Sequence, residues 1–269
     1  MTLKSEQHIK AKNTTDKVND SLSKRYVFLD GLRGLTLLSM ILYHMVWDLV
    51  YLFGLDWKWY RSGAAYLWQQ SICWVFIFLS GFCWSLGKRK WKRGVTVFIG
   101  GLLITAVTLF VMPEDRVIFG VLTCIGSCTL LMIPFEKLFK KCNPYAGIAG
   151  SAALFVLVRN VNIGYLGFEA WKPVKLPDSL YRNWFTAYWG FPDAAFYSTD
   201  YFSVFPWIFL YIAGYFLYRI LDGSRVFSWM EKRRLAPVEW LGRHSLEIYM
   251  VHQPVLYLVL NICFLLKEV

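Results

Sequence analysis

The chain has few charged residues for its length. Charged side chains make up only 17% of its 269 residues, whereas 57% of the residues are hydrophobic. This composition excludes an ordinary soluble domain. The sequence also lacks a G-x-S-x-G elbow and a G-x-x-x-x-G-K-[ST] loop. Neither α/β-hydrolase chemistry nor P-loop chemistry is therefore indicated.

The sequence has no recognisable disulfide or metal framework. Its six cysteines are scattered, and most of them fall in apolar segments. Cys124 and Cys128 would share one face of a helix, which would suit a metal or redox pair. No cluster of His or carboxylate residues accompanies them, so we interpret them as packing residues and expect no bound metal.

Apolar runs long enough to cross the hydrocarbon core of a bilayer recur along the chain. They predict an all-α integral membrane protein, a bundle of about seven transmembrane helices. The predicted spans lie near residues 29–53, 64–86, 94–112, 117–135, 145–163, 203–220 and 245–266.

The distribution of basic residues predicts the orientation of this bundle. With the N-terminus inside, 20 of the 29 Lys and Arg residues fall on the inner side and seven on the outer side. This asymmetry predicts a cytoplasmic N-terminus and a C-terminus outside. Topology and contact with anionic lipids of the bilayer account for the net charge of +11. No nucleic-acid motif accompanies the charge, so we expect no nucleic-acid partner.

The domain organisation is simple. Residues 1–24 are polar and basic, and we expect a disordered cytoplasmic tail. Residues 25–269 form one membrane domain. Its outer connection, 164–202, is rich in aromatic residues and is predicted to form short interfacial helices over the outer mouth. The inner connection, 221–244, contains FSWMEKRRL, which predicts an amphipathic surface helix.

Arg33 and His44 are the most informative residues of the first span. Ionisable side chains inside an apolar span are costly and indicate function by default. Eleven steps of 100° place both residues on one helix face, roughly 16 Å apart along the axis. His44 would then lie in the outer half of the bilayer, and Arg33 near the inner face. Imidazole suits a general base, and guanidinium suits a phosphate ligand.

Two carboxylates accompany these residues. Asp48 follows His44 by one turn and could accept its Nδ1–H, as in a catalytic triad. Asp30 precedes Arg33 by three residues on the same side. Structural alternatives remain open for both basic residues. His44 could hydrogen-bond between helices, and Arg33 could be a charge-paired anchor that reaches the interface.

Other polar residues lie at positions that could join a site. His252 and Gln253 fall about seven residues inside the last span, and either could be a packing residue. Asp200 and Tyr201 precede the sixth span and could reach the outer mouth, although a loop Asp is commonly a helix cap. We expect Arg159, near the outer end of its span, to extend to the interface.

Several motifs in the sequence carry a family resemblance. LDGLRG at residues 29–34, followed by His44, gives an Arg-x10-His pattern that resembles acyltransferase-3-type membrane acyltransferases. The chain also resembles the catalytic domain of heparan-alpha-glucosaminide N-acetyltransferase and the small bacterial membrane proteins grouped with it. The likeness to that group covers most of residues 25–260 and extends through MILYHMVWDLVYLFG, FIFLSGFCWSLG, FYSTDYFSVFPWIFLYIAGYFLYR and WLGRHSLEIYMVHQPVL.

The resemblance implies transfer of an acyl group, often acetyl, from cytoplasmic acyl-CoA to a hydroxyl or amine of an acceptor across the membrane. The acceptor would be of glycan type, and the membrane would be the plasma membrane of a bacterium. Acyltransferase-3 proteins usually have ten spans, and the heparan enzyme has a luminal domain and further spans. A heparan acceptor is therefore not implied.

The candidate residues take three roles in this interpretation. His44 would be the catalytic base, and Asp48 would orient it. The others would bind substrates: Arg33, Asp30, His252 and Gln253 on the donor side, and Asp200 and Tyr201 on the acceptor side. A small transporter or channel that relays protons through intramembrane His and carboxylate groups remains the alternative. The oligomeric state, monomer or homodimer, also stays open, as does the choice between direct transfer and an acyl-histidine intermediate.

Overall fold

A computed structural model describes residues 26–232 and 235–266. The predicted tail, 1–24, lies outside the described residues. The described part contains these α-helices: Val27–Tyr51 (α1), Gly63–Phe82 (α2), Lys90–Val111 (α3), Val121–Lys141 (α4), Pro144–Val158 (α5), Trp184–Trp189 (α6), Trp207–Leu221 (α7), Arg225–Lys232 (α8), Ala236–Arg243 (α9) and Ser245–Leu265 (α10).

The long apolar helices agree with the predicted class. Within the described residues, five stretches are long and apolar enough to cross a membrane: α1, α3, α4, Pro144–Ile163 and α10. Each overlaps a predicted span. The remaining predicted spans, 64–86 and 203–220, correspond to α2 and to the shorter apolar helix α7. The all-α, membrane-compatible class is confirmed, while the count of seven spans and the sidedness of the termini stay predictions.

The outer connection differs from the expected set of short helices. It contains an antiparallel hairpin of Tyr165–Phe168 (β1) and Trp171–Lys175 (β2), in addition to the six-residue helix α6. The side chain of Asn160 supports the hairpin, because its Nδ2 donates to the carbonyls of Glu169 at 3.0 Å and Trp171 at 3.2 Å. This support comes from the end of α5, so local helical patterning in the connection could not reveal it.

The predicted amphipathic segment of the inner connection is helical over its first part. Helix α8 buries Phe227, whose ring centroid lies 4.8 Å from that of Tyr26 and 6.0 Å from that of Phe82. Residues 233 and 234 of the segment lie outside the described range. The helix α9 that follows was not predicted, and it packs along α1.

Helix α1 connects the two sides of the bundle. It packs against α2, α9 and α10. Helix α2 also packs against α7, and α7 packs against α5. Helices α3 and α4 pack against each other. Cys124 and Cys128 are buried in the main apolar cluster beside Tyr211, which is the packing role that we predict for them.

Helices α1 and α9 cross with their backbones in direct contact. A Cβ atom at Gly34 would overlap the carbonyl oxygen of Val238, and one at Gly242 would overlap the carbonyl oxygen of Asp30. Small residues allow such close approach of two helices. Gly34 in LDGLRG and Gly242 in WLGRHS are therefore the two sides of one helix crossing, and Arg33 lies next to it.

We expect Gly34→Ala to destabilise the protein by about 1–3 kcal/mol, because the added methyl group has no space at the crossing. The measurement is thermal unfolding of the purified protein in detergent. Gly150→Ala is the matched control, since a Cβ atom at Gly150 on α5 meets nothing within 4 Å. Equal losses in the two variants would contradict the close crossing.

Candidate functional site

Two histidines from different helices meet inside the bundle. The ring centroids of His44 on α1 and His252 on α10 lie 5.0 Å apart. The Nδ1 atom of His252 lies 2.6 Å from the carbonyl oxygen of Tyr249. A carbonyl can only accept, so Nδ1 carries the proton and Nε2 is an acceptor in the neutral ring. That Nε2 is buried and has no partner among the described residues.

The hydrogen bond that we expected between His44 and Asp48 is absent. Asp48 is fully buried, and its Oδ1 instead accepts from Gln253 Nε2 at 2.5 Å. Asp48 Oδ2 and Gln253 Oε1 are buried and have no partner in the described part of the chain. The amide of α10 thus holds one oxygen of the carboxylate, and the expected role of Asp48 in orienting His44 stays a prediction without a direct hydrogen bond behind it. A ligand with N–H or O–H groups would satisfy the three unpartnered acceptors of this region.

Arg33 lies at the other end of α1 and is held by several groups. Its Nη1 donates to Asp30 Oδ1 at 3.1 Å and to the carbonyl of Gly242 at 3.5 Å, and its Nη2 lies 3.5 Å from Cys83 Sγ. Asp30 is also 4.0 Å from the Nε of Arg243. The charge pair that we considered for Arg33 is therefore present, and the Arg33 side chain remains 25% exposed.

A third guanidinium completes a basic cluster at this end. Arg93 on α3 donates from Nη1 to the carbonyl of Cys83 and from Nη2 to that of Ser80, both at 3.3 Å. Its charge thereby caps the C-terminal end of α2, where the helix dipole is negative. The inner-end cluster, defined as Arg33, Arg93 and Arg243, brings together residues that are far apart in sequence.

The family model described as "Heparan-alpha-glucosaminide N-acetyltransferase, catalytic" matches residues 25–254. The chain belongs to this family. The match covers α1 with Arg33 and His44, and it extends into α10 as far as His252 and Gln253. The protein is thus a member of a membrane acetyltransferase family. No curated protein and no solved structure gives a significant match to the chain.

Asp200 caps a helix in this acetyltransferase-family protein. It is one of the two residues that we expected on the acceptor side. Its carboxylate accepts from the backbone N–H of Val121 at the start of α4, and a Cβ atom at Gly120 would lie 3.2 Å from Asp200 Oδ2. The charge of the carboxylate also influences Tyr43 and Tyr249. Tyr43 precedes His44 in sequence, and the ring of Tyr249 contacts that of His252. The cap that we considered for Asp200 is present.

Tyr201 is engaged within the outer connection. Its hydroxyl donates to the carbonyl of Ala187 and accepts from Asn162 Nδ2 at 3.5 Å. These contacts hold the chain before α7 against α6. They do not bring Tyr201 together with His44, and its acceptor-side role stays a prediction.

Arg159 turns inward, and our expectation that it extends to the interface was wrong. Its side chain is only 13% exposed, and Nη2 donates to Gln70 Oε1 at 2.9 Å and to the Tyr66 hydroxyl at 3.3 Å. Tyr66 and Gln70 are four residues apart on α2 and share one face. That polar stripe in an apolar helix was the available signal for a polar partner from another helix.

The stability of the protein should depend on the ionisation of Asp200. Burial raises the pKa of the Asp200 carboxyl from 3.8 to about 6, although the Val121 N–H favours the charged form. The folded state therefore binds the proton more tightly than the unfolded state, and this contribution to stability is lost as pH rises from about 4 to about 6. We expect the midpoint of thermal unfolding to fall across that range.

Asp200→Asn should remove this part of the pH dependence. Asp178→Asn is the control, because the Asp178 side chain is 86% exposed. Unfolding in detergent between pH 4 and pH 7 measures the difference. A wild-type profile that is unchanged in Asp200→Asn would show that the carboxyl titrates normally.

Gln253→Leu should destabilise the protein by about 1–3 kcal/mol, since it leaves the buried Asp48 carboxylate without its amide donor. The double variant Asp48→Leu/Gln253→Leu should lose less, because it removes both polar groups together. Asn261→Leu is the matched control on α10, where the amide bonds only to the Tyr257 carbonyl. If Gln253→Leu unfolds like Asn261→Leu, the Asp48–Gln253 pair does not stabilise the fold.

Proposed function

We propose that this protein transfers an acetyl group from cytoplasmic acetyl-CoA to a hydroxyl or amine of a glycan-type acceptor outside the plasma membrane of a bacterium. The observation that carries this proposal is the contact between His44 and His252, whose ring centroids lie 5.0 Å apart. His44 also shares helix α1 with Arg33, which lies three turns away. Membership of the acetyltransferase family supports the reaction type.

The donor would bind along α1 with its phosphates at the inner-end cluster. Guanidinium groups bind phosphate through paired hydrogen bonds, and three of them lie there. Arg33 and Arg243 pair with the buried Asp30, and both Arg33 and Arg93 contact Cys83. The roughly 16 Å between Arg33 and His44 is comparable to the length of a pantetheine arm. The pantetheine amides would supply N–H donors to the unpartnered acceptors beside His44, among them Gln253 Oε1 and His252 Nε2.

The chemical step is then a direct acyl transfer. His44 accepts the proton from the acceptor hydroxyl or amine as the new C–O or C–N bond forms at the thioester carbonyl. The C–S bond breaks, and the CoA sulfur leaves with the proton. His252 lies against His44 and, through its bond to the Tyr249 carbonyl, keeps Nε2 as an acceptor. Base catalysis of this kind typically contributes 10²–10⁴-fold in rate.

His44→Ala should reduce acetyl transfer by at least about 10²-fold while leaving the protein folded, because it removes the proposed base. Membranes containing each variant are incubated with radiolabelled acetyl-CoA, and the label in the lipid and glycan fractions is counted. Stabilisation of the purified protein by acetyl-CoA is measured alongside and should persist, since His44 is not the phosphate ligand.

His244→Ala is the matched control, because His244 precedes α10 and contacts Trp240 with ring centroids 4.9 Å apart. Full transfer in His44→Ala would refute the role of His44. A wild-type protein that acetyl-CoA does not stabilise, and that instead carries a pH-dependent flux in liposomes, would favour a transporter.

A further inference from the structure

A second polar network lies at the opposite end of the bundle from the inner-end cluster. Arg159, the C-cap residue directly after α5, places its guanidinium over the ring of the buried Trp207, with Cζ 5.0 Å from the ring centroid. Its Nη2 donates to Gln70 and Tyr66, as described above, and lies 3.4 Å from Glu169 Oε1. We call Arg159, Gln70, Tyr66 and Glu169 the outer-end network.

The guanidinium of Arg159 is incompletely satisfied. Its Nε is buried and has no hydrogen-bond partner among the described residues. Buried donors without partners are rare in folded proteins, and each costs free energy. A guanidinium presents adjacent N–H groups that match the two oxygens of a carboxylate or phosphoryl group. The Nε of Arg159 is therefore a donor that an incoming anion could use.

The carboxylate of Glu169, which neutralises Arg159, is accessible to solvent and could be exchanged for another anion. The Glu169 side chain is 41% exposed, and its carboxylate also accepts from the Tyr66 hydroxyl at 2.8 Å. Glu169 sits between β1 and β2 in a left-handed conformation, with φ of 49°. Non-glycine residues adopt this conformation uncommonly, and such positions cluster at functional sites. The hairpin thus holds one carboxylate over a buried cation at the outer surface.

One residue of α2 lies within electrostatic range of the outer-end network and of Asp200. It is the half-buried Cys73, which the charges of both Arg159 and Asp200 influence. The charge of Asp200 also influences Tyr249, whose ring centroid lies 5.3 Å from that of His252. Asp200 therefore lies within electrostatic range of both Cys73 and Tyr249, the latter beside His252.

We propose that Arg159, with Gln70 and Tyr66, binds an anionic group of the acceptor, a carboxylate or a phosphoryl group, and that the Glu169 carboxylate occupies this position until the acceptor displaces it. The proposal rests on the acetyl-transfer function for what happens to the bound acceptor. It identifies the acceptor as an acidic glycan or a glycan phosphate rather than a neutral sugar.

The test measures thermal stabilisation of the purified protein by three probes at matched ionic strength: glucuronate, glucose 1-phosphate and neutral glucose. We expect at least one anionic probe, and not glucose, to stabilise the wild-type protein. Glu169→Gln should lower the apparent Kd for that probe about tenfold, because the competing carboxylate is gone. Arg159→Gln should abolish the stabilisation, and Arg159→Lys should retain part of it.

Arg182→Gln is the charge-matched control, since Arg182 is exposed on the same outer connection and should respond like the wild type. The Glu169→Gln measurement is decisive even if Arg159→Gln fails to fold. The proposal is overturned if glucose stabilises as well as the anions, if Glu169→Gln leaves the anion affinity unchanged, or if folded Arg159→Gln still responds. Stabilisation by acetyl-CoA in the same samples reports on the donor function alone, so the two failures are distinguishable.

Discussion

Charged and amide side chains that these helices carry into an apolar interior take partners from other helices, and this constraint organises the molecule. Arg33 on α1 reaches Asp30, the Gly242 carbonyl and Cys83, while Asp48 on the same helix takes the amide of Gln253 from α10. Burial of such groups without partners would be costly. The polar contacts therefore specify which helices α1 must meet and at which height along its axis.

The same constraint explains how much could be predicted from the sequence. The apolar runs predicted the long helices, and the spacing of Arg33 and His44 predicted a shared face, because both features are local and periodic. The pairs formed across helices could not be predicted in this way. A carboxylate one turn from a histidine favours a triad in sequence, yet the free amide of Gln253 competes for Asp48 in space. Likewise, Arg159 near a helix end favours the interface until Gln70 on α2 is placed beside it.

The arrangement of charge at the two ends of the bundle is also unequal. At one end, Arg33 and Arg243 pair with Asp30, and Arg93 contacts Cys83 beside Arg33, so that the basic groups exceed the nearest carboxylates in this described region even when Glu239 is included. At the other end, a single guanidinium faces a single carboxylate, Arg159 against Glu169. An excess of cations suits a ligand with several phosphates. A one-to-one pair with an exposed carboxylate suits exchange for one anionic group.

The contact between α1 and α10 shows how position and chemistry depend on each other. His252 and Gln253 are consecutive, and His44 and Asp48 are one helical turn apart, so one register of α10 on α1 creates both contacts together. The Gln253–Asp48 bond lies deep, where Asp48 is fully buried, and would hold that register. His252 is then held beside His44 without any bond to the His44 ring. We therefore propose that Asp48 acts on His44 through the placement of a neighbouring helix, which is a positioning role rather than that of a triad carboxylate.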